Sequence, residues 1–288
     1  MSQKAIKLIE CPRDAMQGIH DFIPTALKAA YINLLLQVGF DTLDFGSFVS
    51  AKAIPQLTDT REVLAQLDLS NTRSKLLAIV ANLRGAEDAM VFPEIDYVGF
   101  PFSISETFQQ RNTNSSISTS LTTVEKMLEL CDRHQKTAVV YLSMGFGNPY
   151  GDVYNTEIVE QWASALVERG TKILSLSDTT GVSTPEKIQE LLPLLISKFP
   201  DTEIGLHLHS TPDTRHEKIA AAYESGCKRF DSALKGFGGC PMAADDLTGN
   251  LATEDLIAYL KQQGEVLNLN EDKWQEALLL SASVFKGM

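Results

Sequence analysis

At 288 residues and 44% hydrophobic, the chain is long enough to bury a large core, as one big α/β domain or two smaller ones. Its 25 basic against 37 acidic residues give a net charge of −12, which repels nucleic acids and anionic membrane surfaces at long range and argues against both as partners, although a local basic pocket for a small anion stays open. The N-terminus MSQKAIKLIE has neither the apolar core nor the cleavage site of a secretory signal, and no run approaches the roughly 18 apolar residues of a membrane span, so a cytoplasmic protein is expected.

Eight short β-rich runs follow one another along the chain: IKLIEC (6–11), FDTLDF (40–45), KLLAIVA (75–81), IDYVGFPF (95–102), TAVVYLS (137–143), KILSLS (172–177), EIGLHLH (203–209) and CKRFDSA (227–233). Between them lie helix-like stretches such as TALKAAYINLLLQVG and NTEIVEQWASALVERG, several ending in a glycine suited to a left-handed C-cap. Strands separated by helical crossovers imply a parallel sheet, and eight such units close into a (β/α)8 TIM barrel. An open doubly wound sheet would carry a Gly-rich loop after its first strand, where this chain reads Cys-Pro-Arg-Asp. No linker or low-complexity tract divides the chain. The expectation is one α/β catalytic domain over 1–288, with an additional C-terminal helix from about Glu271.

Barrel enzymes build their sites where strands end and βα loops begin. The ionisable residues at those places are Arg13 and Asp14 after the first strand, Asp44 with the Ser47–Ser50 loop after the second, Asp178 after the sixth, and His207 and His209 on the seventh. The eighth leads into the loop Gly236–Pro241, which holds Cys240.

"GLHLHS" carries two of the five histidines at alternate positions, so both project to one side, roughly 6.5 to 7 Å apart at the backbone. Two neutral imidazoles at that spacing can grip one metal ion; the alternative is a pair of core histidines satisfied by the backbone. Asp14 and Asn250 offer hard oxygen donors, and mixed N and O ligation without thiolate suits Mg2+ or Mn2+ better than tetrahedral zinc. Taken singly, Asp14 also reads as a turn or capping carboxylate, and Asn250 as the N-cap of ATEDLIAYL.

Arg13, permanently cationic, is suited to stabilise an oxyanion, or to pair with Asp44 or Asp178. Cys11, Cys131, Cys227 and Cys240 are far apart with no C-x-x-C pair, which indicates neither a disulfide framework nor a structural zinc site.

"ECPRDAMQ" (10–17), "SFVSAKAIPQ" (47–56), "SETFQQRNTNSSI" (105–117), "DTTGVSTP" (178–185), "HLH" (207–209), "GFGGCPMA" (236–243) and "GNLATEDL" (249–256) resemble, in order, the signature segments of the hydroxymethylglutaryl-CoA lyase family. The Arg-Asp and His-x-His elements are shared with the wider group of metal-dependent TIM-barrel lyases and Claisen-type synthases; the "SFVS" and "GGCP" loops together are more specific.

The resemblance implies retro-Claisen cleavage of 3-hydroxy-3-methylglutaryl-CoA to acetyl-CoA and acetoacetate, a homodimer, and an acyl-CoA substrate. It implies Asp14, His207, His209 and Asn250 as ligands of Mg2+ or Mn2+, Arg13 as the stabiliser of the enolate, and Cys240 as a participant in proton transfer. Asp44 and Asp178 are implied as supporting carboxylates, and Gln17, Ser47, Asn82 and Tyr141 as substrate-lining residues. Leucine breakdown is one pathway open to such an enzyme, ketone-body formation another.

The sequence departs from the family pattern at Cys11 and Ala15, usually glycines, at Asp44, usually glutamate, and at Met144, Asn148, Ser177 and Ser210. A shifted site would suit a lyase for a related 3-hydroxyacyl-CoA. A condensing acyltransferase of the same barrel group is a further alternative, though such synthases usually carry an extra C-terminal region. A barrel without turnover is a third, and the Asp-His-His-Asn set argues against it.

Overall fold

All eight expected strands are present in the computed structural model, which describes residues 5–239 and 248–286. The first half of the chain runs β1 (Lys7–Glu10), α1 (Pro12–Gln17), α2 (Thr25–Val38), β2 (Thr42–Ser47), α3 (Thr60–Leu64), β3 (Lys75–Ile79), α4 (Leu83–Met90), β4 (Ile95–Ser103), α5 (Glu106–Thr113) and α6 (Ile117–Arg133). The second half runs β5 (Thr137–Ser143), α7 (Thr156–Glu168), β6 (Ile173–Ser177), α8 (Pro185–Lys198), β7 (Glu203–His207), β8 (His209–Ser210), α9 (Arg215–Glu224), β9 (Arg229–Ser232), β10 (Gly249–Asn250), α10 (Thr253–Gln262) and α11 (Glu271–Val284).

The parallel strands close in the order β1-β2-β3-β4-β5-β6-β7-β9, with β9 paired back to β1 from Lys7↔Arg229 to Glu10↔Ser232. Every residue of β2, β6 and β9 is buried, because one face meets the helices and the other fills the lumen. That is why these runs lack a polar alternation.

Caps fix where helices begin. The Asn82 side chain accepts from the Gly85 N–H, Thr184 does the same for Lys187 and Asn270 for Lys273, each contributing about 1 kcal/mol. Gly39 ends α2 at φ 86°, a conformation an L side chain rarely adopts.

Two expectations are corrected at the mouth of the barrel. The seventh strand does not run unbroken to residue 209: it stops at His207, and His209–Ser210 restarts as β8, which pairs antiparallel with β10 through Asn250↔His209. Asn250 therefore sits in that ribbon and does not cap α10, whose N-cap is Ala252.

The C-terminal helix α11 packs on the barrel's own α2. The Asn270 N–H donates to the Val38 carbonyl, Trp274 meets Phe40 edge-on, and Phe285 meets Tyr31 edge-on.

Candidate active site and metal centre

The chain turns from β1 directly into α1, and Pro12 at the first helical position presets that turn. Its consequence is that Arg13 and Asp14, in the first turn, both enter the mouth of the barrel. Arg13 Nε donates to both Asp44 oxygens (3.1 and 3.0 Å) and Nη2 to Asp44 Oδ2 (2.5 Å). Nη1 donates to Asp14 Oδ1 (2.9 Å) and Gln17 Oε1 (2.8 Å). A guanidinium has five N–H donors, so one on Nη2 is left without a partner among the described residues.

Asp14 Oδ1 also accepts from Gln17 Nε2, and Oδ2 accepts from Asn250 Nδ2, both at 2.8 Å. Burial alone would raise its pKa; the charges of Arg13 and the two imidazoles outweigh burial and bring it to about 2. The carboxylate is thus ionised at any physiological pH. Burial and the neighbouring His207 take His209 down to about 4, so its imidazole is neutral and keeps a lone pair. His207 feels burial too, but its Nδ1 contact with Asp231 Oδ2 at 3.3 Å, together with the charges of Asp14 and Asp231, carries it above its ordinary value. With Nδ1 engaged by Asp231, Nε2 is the nitrogen left to coordinate.

Asp14, His207 and His209 each offer a ligand atom, and these atoms all lie within 4.8 Å of one another; the two imidazole centroids are 5.3 Å apart. An ionised carboxylate beside two imidazoles, one of them held neutral, is a donor set that fits a divalent ion. Asn250 adjoins the group and spends its amide N–H groups on Asp14 and on the Phe237 carbonyl.

Beneath the histidines lies a second layer. Lys218 Nζ donates to the His209 carbonyl (2.8 Å), to Asp178 Oδ2 (3.0 Å) and to the Gly181 carbonyl (3.0 Å). Asp178 also accepts from the Ser183 N–H and hydroxyl. Asp178 is thereby sealed among donors and lies outside the cavity lining. Lys218 was invisible in the sequence, where RHEKIAAAYE reads as a charged helix face.

The cavity above the group has a volume of about 150 Å3 and opens to solvent. Arg13, Asp14, Gln17 and both histidines line it, together with the apolar Val49, Ile54, Ile79 and Phe108. Tyr141 also lines it, its ring edge-on to His207 at 5.9 Å, with its hydroxyl unpartnered among the described residues.

The remaining expected residues sit elsewhere. Ser47 is buried and its hydroxyl accepts from the Val49 N–H, so it shapes the turn. Asn82 is exposed and caps α4. Neither lines the cavity. Met144 is buried at φ 60°, its N–H bonded to Thr179 Oγ1, and Asn148 ties its own turn through Tyr150 and Asp152. Ser210 is buried in β8. Cys240 lies outside the described residues. Asp231, which the sequence reading passed over, faces His207 across the β7–β9 register.

The HMGL-like family model matches residues 5–280. The chain is 35% identical over 272 residues to hydroxymethylglutaryl-CoA lyase YngG of Bacillus subtilis, covering 94% of this chain and 88% of that one. It is also 35% identical over 260 residues to a 3-hydroxy-3-isohexenylglutaryl-CoA/hydroxy-methylglutaryl-CoA lyase of Pseudomonas aeruginosa, with 89% and 85% covered. An HMG-CoA lyase from Acinetobacter baumannii, solved with coenzyme A and 3-methylmalate, superposes with a TM-score of 0.90 at 27% identity, over 99% of this chain and 92% of that one.

Proposed function

The chain belongs to the HMGL-like family, and on that premise we propose that it is a metal-dependent carbon–carbon lyase that cleaves 3-hydroxy-3-methylglutaryl-CoA to acetyl-CoA and acetoacetate. The observation that carries this reading is the convergence of Asp14, His207 and His209 within 4.8 Å beside Arg13, in a cavity also lined by apolar side chains.

In the reaction the substrate's hydroxyl loses its proton and becomes a ketone. The C2–C3 bond breaks, and its electron pair passes to the thioester as an enolate that a proton then quenches. Asp14 and the two histidines would hold the ion, with Asn250 as a fourth, oxygen ligand; bound there, Mg2+ or Mn2+ supplies Lewis acidity that polarises the substrate's hydroxyl and acyl oxygens.

Arg13 is clamped on three sides by Asp44, Asp14 and Gln17, so its remaining Nη2 hydrogen is held in place before charge develops, as oxyanion stabilisation requires. Of the three ligands, Asp14 keeps an oxygen besides the one given to the ion, so it is the acceptor at hand for the hydroxyl proton. Asp178 is buried under Lys218 and Ser183, so its part is to fix the His209 segment. Val49, Ile54, Ile79 and Phe108 keep water from the acyl chain. We infer further that the protein is a cytoplasmic homodimer and that Cys240 helps with proton transfer to the enolate. Among the described residues no helix is long and apolar enough to cross a membrane.

The test is a panel of 3-hydroxyacyl-CoA thioesters with metal present, resolved by product mass. Acetyl-CoA and acetoacetate in equal amounts from the 3-methylglutaryl substrate support the reading. No product above a His207→Ala control removes it.

A further inference from the structure

We propose that the barrel holds a second cation site just below the first, formed by the Cys11 thiol, His207 and Asp231 and suited to a soft divalent ion such as Zn2+. Ligand atoms of these three buried residues also lie within 4.8 Å of one another. They come from one continuous patch of the closed sheet. Asp231 on β9 is in register with His207 on β7, and Cys11 follows β1, its N–H bonded to the Ser232 carbonyl of β9 at 2.9 Å.

A second, independent observation points to an occupant. Asp231 is 1% exposed, and although Oδ2 meets His207 Nδ1, Oδ1 has no hydrogen-bond partner among the described residues. A buried carboxylate oxygen without a donor is costly, and an ion or a water satisfies it. The thiol is nearly as idle: among the described residues its one hydrogen bond runs 3.8 Å to the Ile9 carbonyl.

The donor chemistry sets this site apart from the first. Sulfur, nitrogen and oxygen together select Zn2+ over Mg2+, and tetrahedral zinc with bonds of about 2.0 to 2.3 Å needs its donors roughly 3.3 to 3.8 Å apart, so a contraction of about 1 Å closes the site. Binding breaks the S–H bond, forms an S–Zn bond and releases the proton to solvent, with no change of oxidation state. Arg229, two residues before Asp231, leaves Nε and Nη2 unpartnered and makes water the competing occupant. A neutral imidazole has one lone pair, so His207 turned to this site through Nδ1 is lost to the first through Nε2, and Zn2+ here opposes the ion of the first site. Only that antagonism rests on the lyase reading; occupancy of the second site does not.

The experiment uses the full chain stripped of metal by chelation, with Co2+ alone as the probe. The expected result is a sulfur-to-cobalt charge-transfer absorption in the wild type that saturates at one equivalent and vanishes in both Cys11→Ala and Cys11→Ser. With Mg2+ present, both variants keep kcat within about twofold, and their midpoint for Zn2+ inhibition rises about tenfold or more. No sulfur band in the wild type, or an equal band in a Cys11 variant that folds by circular dichroism, overturns the proposal and leaves water as the occupant. Loss of lyase activity with the band intact counts against the proposed function and not against this site.

Discussion

Around a single ring of strands, the two sides of the lumen are built from opposite chemistries. β3, β5 and β6 turn in Leu77, Ile79, Val139, Tyr141 and Ile173, and Gly99 on β4 stays side-chain-free because a Cβ there would lie 2.5 Å from Ile79 Cδ1. β7, β9, β1 with the turn that follows it, and β2, brought together where β9 closes on β1, supply His207, Asp231, Arg229, Arg13, Asp14 and Asp44. Both sides are buried, yet they persist for different reasons. The apolar side gains from leaving water, whereas each charge on the other side survives because a partner meets it. One side can be reshaped by degrees; the other fails when a single partner goes.

Removing the partner of a buried charge should therefore produce the largest effect, and the clearest case lies beneath the histidines. Lys218→Met leaves the Asp178 carboxylate buried without its counter-charge, held among the described residues by Ser183 alone, and a loss of about 3 to 5 kcal/mol in denaturant unfolding is expected. Lys218→Met combined with Asp178→Asn should recover part of it. A loss under 1 kcal/mol would mean that buried charges in this barrel are not held by pairing.

A buried acid outside the lumen sharpens the point through pH. Glu10 accepts from the Leu234 N–H and the Thr253 hydroxyl, but burial prevails over both and raises its carboxyl to about 8. The folded state then holds a proton that the unfolded state releases near pH 4.5. Its contribution is fully present below about 4.5 and is lost as pH rises through about 8. Glu10→Gln cannot lose that proton, so its stability relative to wild type should climb by about 5 kcal/mol across the window and level off above it. Parallel stability curves for the two proteins would refute the assignment.

The smallest effect belongs to the apolar side. Ile79→Val should cost about 0.5 to 1.5 kcal/mol, with turnover within a few-fold. A hundredfold loss of turnover would show that this wall orients the reacting atoms as strictly as the charges do.

The division of labour explains what was legible in the sequence. The eight strands could be read because burial on both faces makes each one an apolar run, and Arg13, Asp14, His207 and His209 stood out as polar residues at the ends of such runs. The break at Leu208 was hidden, since β8 is defined by pairing with a ribbon strand some 40 residues later. Asp231 and Lys218 were hidden for a similar reason: each acts on a histidine that only the closed barrel or a crossing helix brings near. Asn82 and Ser47 carried polar side chains at strand ends, but they were spent on a helix cap and a turn.

On the proposed function, Asp14, His207 and His209 hold a divalent ion on which carbon–carbon cleavage depends. The most direct test of this is acetoacetate formation by the metal-stripped protein as Mn2+ is added, beside His209→Ala. The account predicts no product without metal, recovery saturating at one tightly bound equivalent, and turnover at least about a thousandfold lower in the variant. Undiminished turnover in the stripped protein, or a His209→Ala titration that matches wild type, would contradict it.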